Sequence, residues 1–208
     1  MLRVMKLGSP MSLGTWSLTL FSAVLTVVVA IDLLRVIHLL PDGSVGFEWI
    51  RKAAVVVGLV PAMGSAIYKG VLFSTSSQPA WKDARWLGGY FVNSAFLMGC
   101  AELIALAFLT GYPRAAVVLR PALEVLLVLN LIAVGLVTAD VREALARLGP
   151  VGDHRRIGAL AIGVGSILPL VLVLNGRSPP VMIGAVICIL LGSLAIRFLI
   201  IRLPTAVR

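Results

Sequence analysis

Six long apolar runs, near residues 10–39, 53–74, 88–110, 121–140, 157–175 and 181–203, constrain this chain more than any other feature. Each is long enough to cross about 30 Å of hydrocarbon, which takes roughly 20 helical residues. Lipid offers the backbone no hydrogen-bond partners, so a spanning segment satisfies its own N–H and C=O groups as a helix or joins a closed barrel. The runs lack the apolar/polar alternation of barrel strands. They predict an all-α integral membrane protein, six transmembrane helices in a bundle, as a single transmembrane domain over residues 1–208. Composition agrees. The chain is 60% hydrophobic and 13% charged, against about 45–50% and about 25% in soluble domains.

A net charge of +9 would suggest nucleic acid in a soluble protein. Here the Lys and Arg residues fall mostly between the apolar runs, where they set topology and meet lipid headgroups, so nucleic-acid binding is excluded. Six spans put both termini on one side, and eleven Lys and Arg lie there against six on the other. That excess predicts a multi-pass protein of the cell (cytoplasmic) membrane with cytoplasmic termini. The first run is too long for a signal peptide, and no small-residue cleavage site closes it.

Local signals punctuate the runs. Ser9-Pro10 suits an N-cap followed by proline in the first turn, and Pro121 is expected to open the fourth helix. Pro169 predicts a kink in the fifth, and Pro41-Asp42-Gly43 a turn. Small residues four apart, Ala159 with Gly163 and Gly184 with Cys188 and Gly192, predict close helix contacts. Cys100 and Cys188 read as small apolar packing residues.

Charged groups at membrane depth are costly and tend to be functional. The candidates are Asp32, Glu102, Glu124, Asp140 and Arg197, with Asn93 and Asn130 as neutral companions. Asp32, Glu102 and Glu124 would carry protons along a broken path ending near Tyr68, with Asn130 and Arg197 in the polar core. The plainer reading is helix-to-helix bonding and local ion pairing. Asp32 lies three residues from Arg35, and Glu124 four from Arg120, so each acid can be paired on its own helix. Glu102 has no local cation and would tend to stay protonated. Haem is disfavoured, because His38 and His154 fall at opposite faces and cannot share an iron. No zinc-ligand spacing, phosphate-binding glycine loop or Ser/His/Asp grouping occurs, so the chain shows no catalytic constellation of its own.

Two stretches carry a resemblance. "LRVMKLGSPMSLGTWSLTLFSA" resembles the loop and third-helix start of the NrfD/PsrC family, the membrane subunits of polysulfide-reductase-like complexes, through Ser9, Pro10, Met11, Ser12, Gly14 and Trp16. "YKGVLFSTSSQPAW" resembles that family's Tyr-Thr-Gly segment ending the fourth helix and leading to a Trp at the fifth, through Tyr68, Gly70 and Trp81, and the last run is similar to its Gly-rich closing helix with an Arg, here Arg197. Lys69 and Leu13 depart from the family pattern. The resemblance implies the last six helices of an eight-helix fold, with Met1 in the loop between the second and third. It implies a membrane anchor that binds a quinone (menaquinone or ubiquinone) and exchanges electrons with an iron–sulfur subunit serving a molybdopterin catalytic subunit, holding neither haem nor metal itself. Tyr68 would bind the quinone headgroup, and Trp16 lies nearby as a weaker candidate that also suits the interfacial aromatic belt. The competing expectations are a small transporter or channel component with Glu102, Asn130 and Arg197 along a polar path, and a non-redox structural anchor with an incomplete quinone site.

Overall fold

The computed structural model describes residues 10–41, 44–74, 81, 84–142, 152–176 and 178–206. Ser9 and the Asp42-Gly43 part of the expected turn lie outside them. Six helices among the described residues are long and apolar enough to cross a membrane, the first covering Met11–Val36 and the last Pro179–Arg202. The chain is a multi-pass helical membrane protein. Its internal contacts divide it into two compact units, Met1–Leu72 and Phe73–Arg208.

The first unit holds α1 (Pro10–Val36) and most of α2 (Val45–Ser74). α1 stops short of residue 39 because His38 turns left-handed, with φ 56°. The His38 N–H bonds the Arg35 carbonyl and the Leu39 N–H reaches back to Leu34, each at 2.9 Å, the paired bonds of a Schellman cap. α2 begins ahead of the expected 53, since Glu48, Arg51 and Lys52 are already helical. Two of those charges serve α1: Glu48 takes a bond from Arg35 at 2.5 Å, and Arg51 donates to Asp32 at 2.8 Å. This corrects the expected Asp32–Arg35 pair. A contact within one helix is replaced by two contacts across a hairpin.

The same antiparallel register runs the length of the hairpin. A Cβ on Gly58 would come within 2.9 Å of Val24, and one on Gly64 within 2.7 Å of the Ser17 hydroxyl. Further along, the Tyr68 ring lies directly over Gly14. Side chains missing on one helix are filled from the other, which is how membrane helices approach closely without a hydrophobic driving force between them.

The second unit contains α3 (Leu87–Leu109), α4 (Pro113–Asp140), α5 (Gly152–Ile162), a π-helical turn (Gly163–Ile167), α6 (Leu168–Asn175) and α7 (Pro179–Ala206). α3 ends at a second Schellman cap: Gly111 has φ 75°, and the Tyr112 N–H bonds the Ala107 carbonyl at 2.8 Å. Pro113 follows in the first turn of α4, where its missing N–H is no loss. Pro121, expected to open this helix, lies inside it. α5, the π turn and α6 form one continuous rod. α3 packs on α4, α4 on the rod, the rod on α7 and α7 back on α3.

Pro169 explains the π turn. A proline ring clashes with the carbonyl four residues back and donates no bond. The turn just before it widens, so that the Leu168 N–H bonds Gly163, five residues away. The widened turn also sets Gly165 against Gly192 of α7, where a Cβ on Gly165 would meet the Gly192 Cα at 2.5 Å. Gly163 and Gly184, expected in such contacts, face open space.

Candidate functional site

The buried interior of the second unit is split in two. One apolar cluster includes Leu97, Ile104, Leu123, Leu127 and Ile189; the other includes Leu87, Tyr90, Val134, Val137 and Ile200. Between them each rod contributes one buried polar residue: Ser94 from α3, Asn130 from α4, Ser166 from the π turn and Ser193 from α7. The four lie in one layer part-way along the bundle.

The layer is cross-bonded. Asn130 donates to the Ser166 hydroxyl at 2.9 Å, and the Ser94 and Ser193 hydroxyls stand 3.0 Å apart. Asn93 donates to the Leu126 carbonyl at 3.1 Å and more weakly to Asn130 at 3.5 Å. Arg197 donates from Nη2 to Ser94 at 3.3 Å, and the Tyr90 hydroxyl comes close to Ser94, Ser193 and Arg197. The Arg197 Nε is buried and has no partner among the described residues. Each hydroxyl and amide satisfies another, so the layer works as a lock between rods. Replacing Asn130 with alanine is expected to lower stability in detergent by about 0.6–1.7 kcal/mol, the range for hydrogen bonds between membrane helices. Thermal unfolding checks this, and an unchanged midpoint would show the layer to be dispensable.

The expected site residues separate. Asn130 and Arg197 both bond within the layer. Glu102 does not: it is exposed on α3 beside Leu103. It follows Asn93 by nine residues, which at 3.6 residues per turn is half a revolution away. A polar path lined jointly by Glu102, Asn130 and Arg197 is therefore not assembled in this unit. Glu124 accepts from Arg120 at 3.0 Å, as its spacing predicted, and Asp32 is held by Arg51. Neither paired acid is joined to Glu102 by a hydrogen bond among the described residues.

Tyr68 is half-buried over Gly14, with Lys69 exposed beside it and Trp16 on the exposed face of α1. Trp81 has a structural task. Its indole N–H bonds the Ile200 carbonyl at 2.7 Å, and its ring meets Phe73 edge-on at 4.5 Å. Asp140 accepts from the Trp86 N–H at 3.1 Å, tying the end of α4 to the start of α3.

Sequence reasoning missed Tyr90, Ser94, Ser166 and Ser193. The available signal was weak: Tyr90 and Ser94, and Ser193 and Arg197, each four residues apart in otherwise apolar helices. Among the described residues no three His, Cys, Asp or Glu side chains gather. Comparison with known proteins finds no matching family model, no matching curated protein and no matching solved structure.

Proposed function

We propose that this chain is the membrane anchor subunit of a quinone-linked oxidoreductase complex. In this reading it binds quinone or quinol and exchanges electrons with an iron–sulfur subunit that serves a molybdopterin catalytic subunit. The reading rests on the resemblance to the NrfD/PsrC family, and one observation supports it above others. The two stretches that carry that resemblance are far apart in sequence, yet Gly14 of the first lies under the Tyr68 ring of the second. A side chain at residue 14 would displace the ring, so the motif glycine and the motif tyrosine act as one feature.

A phenol both donates and accepts, which suits a quinone carbonyl and a quinol hydroxyl alike. Of the three acids, Glu102 is the one with no ion-pair partner among the described residues, which leaves its carboxyl free to exchange a proton. Asp32 and Glu124 are committed to their arginines.

Purifying the native complex in mild detergent tests the reading. An iron–sulfur polypeptide and extractable quinone are expected with the chain. Recovery of the chain alone, without quinone, overturns it. Within an assembled complex, Tyr68→Phe is expected to raise the KM for quinol about tenfold, the worth of one hydrogen bond near 1.4 kcal/mol, with assembly unchanged. An unaltered KM removes Tyr68 from the site.

A further inference from the structure

A cleft of about 520 Å³ opens where α3 ends and α4 and α7 begin, lined by Phe108, Ala116, Val117, Arg120, Pro179 and Met182 among others. Its size is that of a small-molecule site, and such sites combine apolar walls with few polar groups. Here the polar group is the Arg120 guanidinium. Its Nε donates to Glu124 at 3.0 Å, and its Nη2 donates to the carbonyls of Val173 and Leu174, the latter at 3.2 Å. Those bonds use Nε and Nη2. Nη1 carries two further hydrogens.

Charge and depth narrow the occupant. Glu124 already neutralises Arg120, so an added anion would leave a net negative charge in a low-dielectric setting, a heavy desolvation cost. A neutral carbonyl oxygen brings no such cost. Arg114 is exposed at the start of α4, at the level expected of a headgroup contact, and Arg120 follows six residues later, about 9 Å deeper at about 1.5 Å per residue. A phospholipid holds its ester carbonyls close to a charged headgroup and would have to sink to reach that depth. A quinone has no charged headgroup, and its ring carbonyls travel with an apolar chain.

We propose that this cleft is a quinone-binding site of the second unit, built without Tyr68, in which one ring carbonyl accepts from Arg120 Nη1 and the ring lies among Phe108, Ala116 and Met182. The site goes beyond the anchor reading and stands on the geometry of the cleft alone.

The test is photolabelling of the purified protein in phosphatidylcholine nanodiscs with a short-chain azidoquinone, the labelled peptides being identified by mass spectrometry. Saturable labelling within residues 108–120, displaced by unlabelled decylubiquinone and not by diacylglycerol, is expected. Ala116→Phe, from the buried wall of the cleft, should cut labelling at least tenfold. Val117→Trp, at the exposed lip, should do the same if the phenylalanine variant does not fold. Tyr68→Phe should leave labelling intact. Labelling that does not saturate, that diacylglycerol displaces equally, or that survives both cleft-filling variants means ordinary annular lipid and overturns the site. Loss of this site with Tyr68-dependent turnover intact leaves the anchor reading standing; cleft labelling in a chain that purifies without redox partners leaves the cleft standing alone.

Discussion

Gly192→Val is expected to destabilise the second unit strongly. A Cβ on Gly192 would fall on the Gly165 Cα and lie 3.1 Å from the Ala161 carbonyl oxygen. Non-bonded carbon atoms rest at about 3.5–4.0 Å, and both obstacles are backbone, which cannot rotate aside as a long side chain can. α7 would have to move off the π turn by more than an ångström. That movement would strain the neighbouring Ser193–Ser94 and Asn130–Ser166 contacts as well. Overpacking alone costs about 1–3 kcal/mol, and with the layer disturbed the expected loss is about 3–5 kcal/mol. Gly184→Val is the control, because nothing lies within 4 Å of a Cβ there, and its effect should stay within about 0.5 kcal/mol. Thermal unfolding in detergent separates the two variants. Equal midpoints would show that the Gly165–Gly192 crossing is not a close contact in the protein.

Arg120→Ala should be the most damaging single change at a charged position. The guanidinium neutralises Glu124 and caps two carbonyls of the last turn of α6, where a helix has no partners of its own for them. The side chains of Arg120 and Glu124 are only 19% and 30% exposed. Breaking such a pair leaves a charge without compensation, at about 3–5 kcal/mol. The double variant Arg120→Ala/Glu124→Ala should recover part of that, since it removes the stranded carboxylate and leaves only the two carbonyls uncapped. No recovery would mean that the loss comes from the uncapped carbonyls of α6 rather than from the stranded carboxylate.

The spans were legible because the hydrocarbon thickness acts on the whole length of a helix and tolerates errors at its ends. The ends were less legible. Pro121 looked like a helix start because Arg114 and Arg120 made the preceding residues look like a loop, whereas the decisive pair was Gly111 and Pro113. Glu48 to Lys52 looked like a connection for the same reason, although all three charges are helical and two of them, Glu48 and Arg51, bond partners on α1. Ion pairing was readable where it stayed within one helix, as for Arg120 and Glu124. It was misread for Asp32, whose partner depends on a hairpin register that no local spacing encodes. The polar layer was half legible: Asn130 and Arg197 stand out in an apolar chain, but serine is too small and common to draw notice. Only the folded arrangement sets Ser94, Ser166 and Ser193 at one level.

The four charges at the closed end of the α1–α2 hairpin have an effect beyond the two bonds they make. Acid and base alternate on each helix: Asp32 then Arg35 on α1, Glu48 then Arg51 on α2. Slide one helix by a single turn in one direction and Arg35 arrives opposite Arg51; slide it in the other and Asp32 arrives opposite Glu48. Either misalignment brings like charges together, while the apolar remainder of the two helices would accept several alignments almost equally well. The hairpin thus carries its own proofreading: two greasy helices that could otherwise stop at any rung of a ladder find one rung that attracts, with a repelling rung on each side.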